Sequence, residues 1–517
     1  MGAGNSYNFA ITLFAALGGL TYGFSNSVIG SVLGLPGFFS YFELRPTGPG
    51  ATYETRIVGA TSGLFAAGGA IGSFFLKSVA DSLGRKRAIQ IICIVCMISG
   101  ALQAGSVHIA MFLVGRFLSG IAIGLIVSIV PVYQSEVSPP SQRGMMVGFH
   151  GGAIGCGYCS AAWIGYACYF AKNLSFQWRF MLAAQCVPPL ILFVGSFKLP
   201  ESPRWLITQG RHQEALDILK RLHTGKLSDS TEDSEDEPSL AQREFQQISL
   251  QIELERELET GPWVMVTKKS YRKRLFCGVF TQAIAQSTGV LVINNFQVSL
   301  YNGLGLYGAM PLLLYALYLT NSTTWNWIGA FLMDRTGRIP MMTFGLCGCI
   351  VAVSLESAMV AEFGGTTSRV GNSFGVFFLF MFGTIYGSCL DASTYVYSCE
   401  VFPTHLRAAG MGVSICGQFL FTLIFTQVAP TAFASIGWKY YLVFIIIPIF
   451  GAMIVWKYFP ETARMSLEEI GEKFGEPVAM HLNAVGGEKA LVILSENLDK
   501  EKQMVPQPAA EELTETT

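Results

Sequence analysis

Four acid–base pairs stand at matching places in the two halves of the chain. Asp81 and Arg85 lie in DSLGRKR, Glu136 and Arg143 in SEVSPPSQRG, Asp334 and Arg338 in DRTGR, and Glu400 and Arg407 in EVFPTHLRAAG. The two aspartates are 253 residues apart and the two glutamates 264. A third echo, Pro200-Glu201 and Pro460-Glu461, is spaced by 260. Opposite charges at the ends of neighbouring helices form ion pairs. Pairs present in one conformation and absent from another bias a two-state equilibrium. The pattern therefore predicts a gate on one side of the molecule. The plainer role for such charges is to fix topology and solubilise helix ends, but acid and base recurring together favours the gate.

Other ionisable groups fall inside apolar runs, where a charge is costly and marks proton or solute pathways. Asp391 lies in GSCLDASTYVYSCE, with Tyr395 and Cys399 four and eight positions on, along one helical face. It is the leading candidate for proton exchange; in an uncoupled carrier it would only hydrogen-bond neighbouring helices. Arg116, in GRFLSG, needs a partner: an anionic solute, the proton-coupling set, or backbone carbonyls and outer headgroups. A free imidazole titrates near neutrality, which makes His150 a further candidate, with structural packing the favoured reading.

These residues need elements to hold them. Of 517 residues, 51% are hydrophobic and only 13% charged, against about 25% charged in soluble domains. Six runs long enough to cross a bilayer precede residue 200, at 9–33, 58–80, 88–107, 111–133, 145–168 and 180–198. Six more follow, at 273–298, 307–332, 340–361, 372–399, 409–432 and 438–458. The reading is an all-α membrane protein of two six-helix bundles related by a pseudo-two-fold axis, residues 1–198 and 273–458. Between them, residues 199–272 form a polar linker with two amphipathic helices and an acidic stretch, Asp229 to Glu237. A polar tail, residues 459–517, is expected to be partly disordered. Lys and Arg concentrate in loops 2–3, 4–5, 8–9 and 10–11 and in the linker. That bias predicts cytoplasmic termini.

A net charge of -1 gives no sign of a nucleic-acid partner. No metal-ligand cluster, phosphate loop or nucleophile elbow appears, so neither an enzyme nor a cofactor is expected. The twelve cysteines lie mostly in apolar runs and read as packing residues.

The motifs GGLTYGFSNSVIG, DSLGRKR, GRFLSGIAIGL, VPVYQSEVSPPSQRG, PESPRWL, DRTGR, EVFPTHLRAAG and FPETARMSLEEI, in this order, resemble the sugar porter family of the major facilitator superfamily, in its fungal branch. The resemblance implies a plasma-membrane uniporter or proton symporter for a sugar or polyol. It also implies a central cavity lined by amides and aromatic rings. Here the chain departs from the family pattern. Ser25 stands where the first helix carries a proton-coupling Asp, the usual partner of Arg116. Gly151 replaces a Gln, Ala285 another Gln and Leu291 an Asn. Ser322 replaces an Asn, with Asn321 adjacent, and Tyr395 replaces a Trp. Gln286 is retained and Gln418 stands for an Asn.

The expected solute-binding set is thus Asn26, Gln286, Asn321, Tyr395 and Gln418. The expected function is alternating-access transport of a sugar-like hydroxylated solute, with or without proton coupling, by a monomer in a lipid bilayer. The alternatives are a proton-driven exporter of a metabolite or organic acid, and a sugar sensor that transports little.

Overall fold

The computed structural model describes residues 3–44, 50–138, 143–223, 240–257, 264–364, 366, 368–403, 406–463, 465 and 467–475. The acidic stretch and the end of the tail lie outside them. In the first half, α1 (Ala3–Ala15) runs into α2 (Leu17–Val32), and α3 (Pro36–Tyr41) is a short connecting helix. Then come α4 (Ala51–Phe74), α5 (Leu76–Leu83), α6 (Arg85–Ala104), α7 (Ile109–Val137), α8 (Arg143–Tyr169), α9 (Leu174–Ala184) and α10 (Val187–Ser196). The linker holds α11 (Pro203–Thr208), α12 (His212–His223), α13 (Leu240–Glu257) and α14 (Val264–Thr267). The second half comprises α15 (Lys269–Ser287), α16 (Val290–Gly303), α17 (Met310–Thr336), α18 (Arg338–Phe363) and α19 (Arg369–Tyr386). A π-helical turn, Gly387–Asp391, leads into α20 (Ala392–Glu400); α21 (Arg407–Ile436) and α22 (Val443–Tyr458) follow. By itself, beyond residue 464, stands α23 (Leu467–Lys473).

Taken end to end, these segments make twelve rods, six in each half, the arrangement of the major facilitator fold. Among the described residues, eight stretches are long and apolar enough to cross a membrane, and one of them, Arg407–Tyr458, holds two rods. Small residues bring the rods together. A Cβ at Gly72 of α4 would sit 2.1 Å from the Ile121 carbonyl oxygen of α7, and one at Gly124 would sit 2.1 Å from that of Gly69. Such seams let backbones touch where lipid offers no hydrophobic drive.

The sequence predicts unbroken spans, and several are interrupted. The α15–α16 rod breaks at Gly289, whose φ of 83° suits glycine. Pro188 and Pro189 open the first turn of α10, where a missing N–H costs least. The π turn sits inside the tenth rod. Residues 34–57, between the first two apolar runs, contain α3, with Pro36 at its start, and the first turns of α4.

The linker helices bury a core of their own. Leu206 and Ile207 of α11, Ala215 and Leu219 of α12, and Ala241, Ile248 and Ile252 of α13 pack together. The two amphipathic patterns thus cover each other.

Candidate functional site

On the linker side, each half carries the same knot. Arg85 donates from Nε and Nη2 to Glu136, both at 2.9 Å, with Asp81 3.7 Å from Nη1. Arg338 donates to Glu400 in the same way, at 3.2 and 2.9 Å. Glu201 accepts from the backbone N–H of Arg85 at 2.9 Å, and Glu461 from those of Arg338 and Ile339 at 2.9 Å. Each glutamate caps a helix start whose donors have no partner inside the helix. Burial pushes the Glu201 carboxyl above its ordinary range, against the pull of the Ser202, Lys86 and Arg85 amides. Both helix starts follow a glycine outside the range of other residues, Gly84 (φ 80°, ψ 170°) and Gly337 (φ 89°, ψ 159°). Tyr133 donates to the Pro200 carbonyl at 2.9 Å, and Tyr397 to that of Pro460 at 3.2 Å.

The side chains of Arg143 and Asp334 lie outside the described residues. Among the described residues, the ion pairs lie inside their own halves, Arg85 on Glu136 and Arg338 on Glu400. Each bidentate pair joins neighbouring helices of one bundle and occupies both carboxylate oxygens. Across the halves, Arg407 reaches Ser135 Oγ at 3.5 Å, and Cys399 Sγ lies 3.8 Å from the Pro131 carbonyl. On the far side, Ser27 Oγ and Tyr315 OH are 2.8 Å apart. The halves therefore touch on both sides of the space between them.

That space is a narrow cavity lined by both halves. The first half gives it Tyr22 of α2 and Ile154, Gly155 and Tyr158 of α8. The second half gives Gln286, Val290, Leu291 and Asn294 beside the α15–α16 break, and Tyr318, Ser322, Thr323 and Asn326 of α17. It also gives Tyr386, Asp391, Thr394 and Tyr395 around the π turn, and Gln418 of α21. Irregular backbone at membrane depth is tolerated where it lines a cavity. Both interruptions in the second half adjoin this one.

Four residues singled out from the sequence meet here: Gln286, Asp391, Tyr395 and Gln418. Gln418 Nε2 donates to Tyr395 OH at 3.1 Å and reaches Tyr22 OH, in the other half, at 3.4 Å. Asn326 Nδ2 donates to Asp391 Oδ2 and, across the halves, to the Gly151 carbonyl at 3.2 Å.

Others stand elsewhere. Asn321 donates to Thr384 Oγ1 at 2.7 Å, within the second half and outside the cavity lining. Asn26 donates to Tyr158 OH and so supports a wall residue from behind. His150 is fully buried, edge-on to the Tyr395 ring at 5.6 Å and against Gly19, also outside the lining. Arg116, with no exposed surface, donates to the Ser25 carbonyl at 3.0 Å and the Thr61 carbonyl at 3.2 Å, and lies 4.3 Å from the Phe65 ring centre. Backbone thus holds it where Ser25 brings no carboxylate. At Gly151 a Cβ would stand 2.9 Å from Ala392 Cα. The helices approach too closely there for an amide side chain.

Sequence reasoning missed Asn294, Asn326 and the tyrosines Tyr22, Tyr158, Tyr318 and Tyr386. A signal existed: Asn326 is one helical turn after Ser322 and Asn294 almost one turn after Leu291, on the faces already suspected.

The chain matches the sugar (and other) transporter family over residues 11–474 and belongs to it. The MFS-type transporter criB of Aspergillus cristatus is 30% identical over 472 residues, 91% of this chain and 94% of that protein. The major myo-inositol transporter IolT of Bacillus subtilis is 28% identical over 481 residues, covering 91% and 95%. In structure the chain is similar to the E. coli proton:xylose symporter XylE bound to 6-bromo-6-deoxy-D-glucose. The TM-score is 0.78 at 22% identity, over 91% of this chain and 99% of that one. The protein is a multi-pass secondary transporter of the major facilitator fold, and its relatives are transporters rather than enzymes.

Proposed function

We propose that this transporter moves a small hydroxylated solute, uncharged or positively charged, by exposing the central cavity to each side in turn, with Asp391 as its proton site. One observation carries the reading. Asp391 is the only Asp, Glu, His, Lys or Arg among the described residues lining the cavity, which is otherwise rich in phenol and amide groups. Those groups suit hydroxyls, which both donate and accept. A lone carboxylate disfavours a carboxylate-bearing solute.

Coupling runs through Asn326. It ties Asp391 to the Gly151 carbonyl of the other half. A proton on Asp391 weakens the bond that orients Asn326, and with it that amide's hold on the Gly151 carbonyl of the other half. The inositol and xylose named for two relatives support a polyol-sized solute here. The Lys and Arg bias supports a cytoplasmic linker side, and the family resemblance supports a plasma-membrane location. The two six-helix halves, residues 1–198 and 273–458, are the moving bodies of a monomer, with the knots as the rigid hinge blocks of the gate.

The test is uptake of labelled hexoses, inositols and their amino derivatives in transporter-deficient cells, with and without a protonophore, together with efflux from preloaded cells. Saturable movement of at least one probe, abolished in accumulation by the protonophore, is expected. Asp391→Asn should lose accumulation and keep counterflow exchange. Unchanged accumulation in that variant removes Asp391 from the proton role.

A further inference from the structure

The hydrogen-bond inventory of the cavity narrows the solute, given that Asp391 is its proton site. Asn326 sits between two acceptors, Asp391 Oδ2 and the Gly151 carbonyl, and its side-chain amide is committed to them. The Gln418 amide is likewise directed at two phenol oxygens. What these residues leave over is oxygen. Asn326 Oδ1 and Gln418 Oε1 are both buried and have no hydrogen-bond partner. An uncharged hydroxyl brings an acceptor for every donor, whereas an ammonium brings three donors and no acceptor.

The electrostatics agree. The cavity wall holds one carboxylate and, among the described lining residues, no basic side chain. Arg116, the nearest sequence candidate for a cationic wall, is turned onto backbone carbonyls. Five tyrosines, 22, 158, 318, 386 and 395, stand around the acid, and aromatic faces attract cations. A buried carboxylate without a counter-charge is costly, so in each half-cycle it takes up either a proton or a solute cation.

We infer that the carried solute bears a protonatable nitrogen, and that its ammonium group and a proton compete for Asp391. When the solute binds, the O–H bond of the protonated carboxyl breaks and the proton leaves to water on the open side. An N–H of the ammonium then donates to the freed oxygen. One cation replaces another, no electrons move, and the two travel in opposite directions. Simultaneous occupancy, which symport of an uncharged solute requires, is not needed.

The experiment uses the full-length protein in liposomes with a trapped pH dye and a clamped membrane potential. Two charge series on fixed skeletons are the probes: glucose, glucosamine and glucuronate, then tyrosol, tyramine and 4-hydroxyphenylacetate. In at least one series the amine should enter about tenfold faster than its uncharged analogue. Protons should move the other way, and lowering the pH on the solute side should slow entry by competition. Asp391→Asn should lose both the preference and the proton movement, with its thermal melting checked so that misfolding is seen as such. Preference for an uncharged probe entering together with protons overturns this inference and leaves the proposed function standing. Preference for an acid, or acceptance of none of the six, overturns both.

Discussion

The linker-side knots and the central cavity follow opposite rules. The knots are repeated almost atom for atom: arginine on glutamate, glutamate on a helix start, glycine before it, tyrosine on a proline carbonyl. The cavity is not repeated at all. The first half supplies mainly two tyrosines, and the second supplies the acid, the amides and both broken helices. Duplication has kept what makes each half rigid. The proposed solute site lies mainly in one half, with the other as a mostly apolar and phenolic wall.

The comparison can be broken most forcefully at the ion pairs. Glu136→Gln strands Arg85 in a buried position, and removing one partner of such a pair costs about 3–5 kcal/mol. The monodisperse yield and melting temperature of Glu136→Gln should fall steeply. Glu400→Gln should follow with a smaller loss, since the Glu400 side chain is 12% exposed against 2% for Glu136. Equal tolerance of both changes would show that the knots are ornaments of topology.

A smaller effect is expected at the paired glycines. Gly84→Ala and Gly337→Ala each force a non-glycine residue into a strained backbone, at about 1–3 kcal/mol. Each also brings a Cβ to 2.7 or 2.9 Å from the capping glutamate. Matching drops in melting temperature would sharpen the equivalence of the halves. The smallest effect belongs to the cavity. Tyr395→Phe removes the nearer of two acceptors for Gln418, worth about 1 kcal/mol. It should weaken solute binding several-fold in a competition assay and leave the melting temperature almost unmoved. A large stability loss there would mean that the cavity, too, is a structural knot.

Much of this was legible in the sequence, for physical reasons. Charged residues at helix ends, and polar ones inside apolar runs, stand out because a bilayer makes them expensive. Asp391 stands out that way, whereas Gln286 and Gln418 come from the family pattern. Asn326 has the same signature, but the family pattern points to the Ser322 position and the adjacent Asn321, which turns toward Thr384. The helix interruptions were hidden because glycine in a membrane helix usually serves close packing. Nothing local tells the Gly289 break from the Gly72 seam. That Arg85 meets Glu136 and Arg338 meets Glu400 is equally hidden, because spacing along a chain does not say which helix end faces which.

The linker is fastened to one side of this asymmetric machine. Trp205 donates to the Asp81 carbonyl at 3.0 Å, Asn8 to that of Leu222 at 3.1 Å, and Tyr133 to that of Pro200. Leu199 and Leu222 share a core with Ile11, Ala15, Tyr133 and Val137. Mechanically, linker helices α11–α13 are an outrigger of the first half, while α14 joins Leu406 and Ala409 of the second through Met265. A force or a bound protein acting on α11–α13 pulls on the body that lacks the acid, and reaches the cavity through its wall of Tyr22 and Tyr158 and through the contacts between the halves.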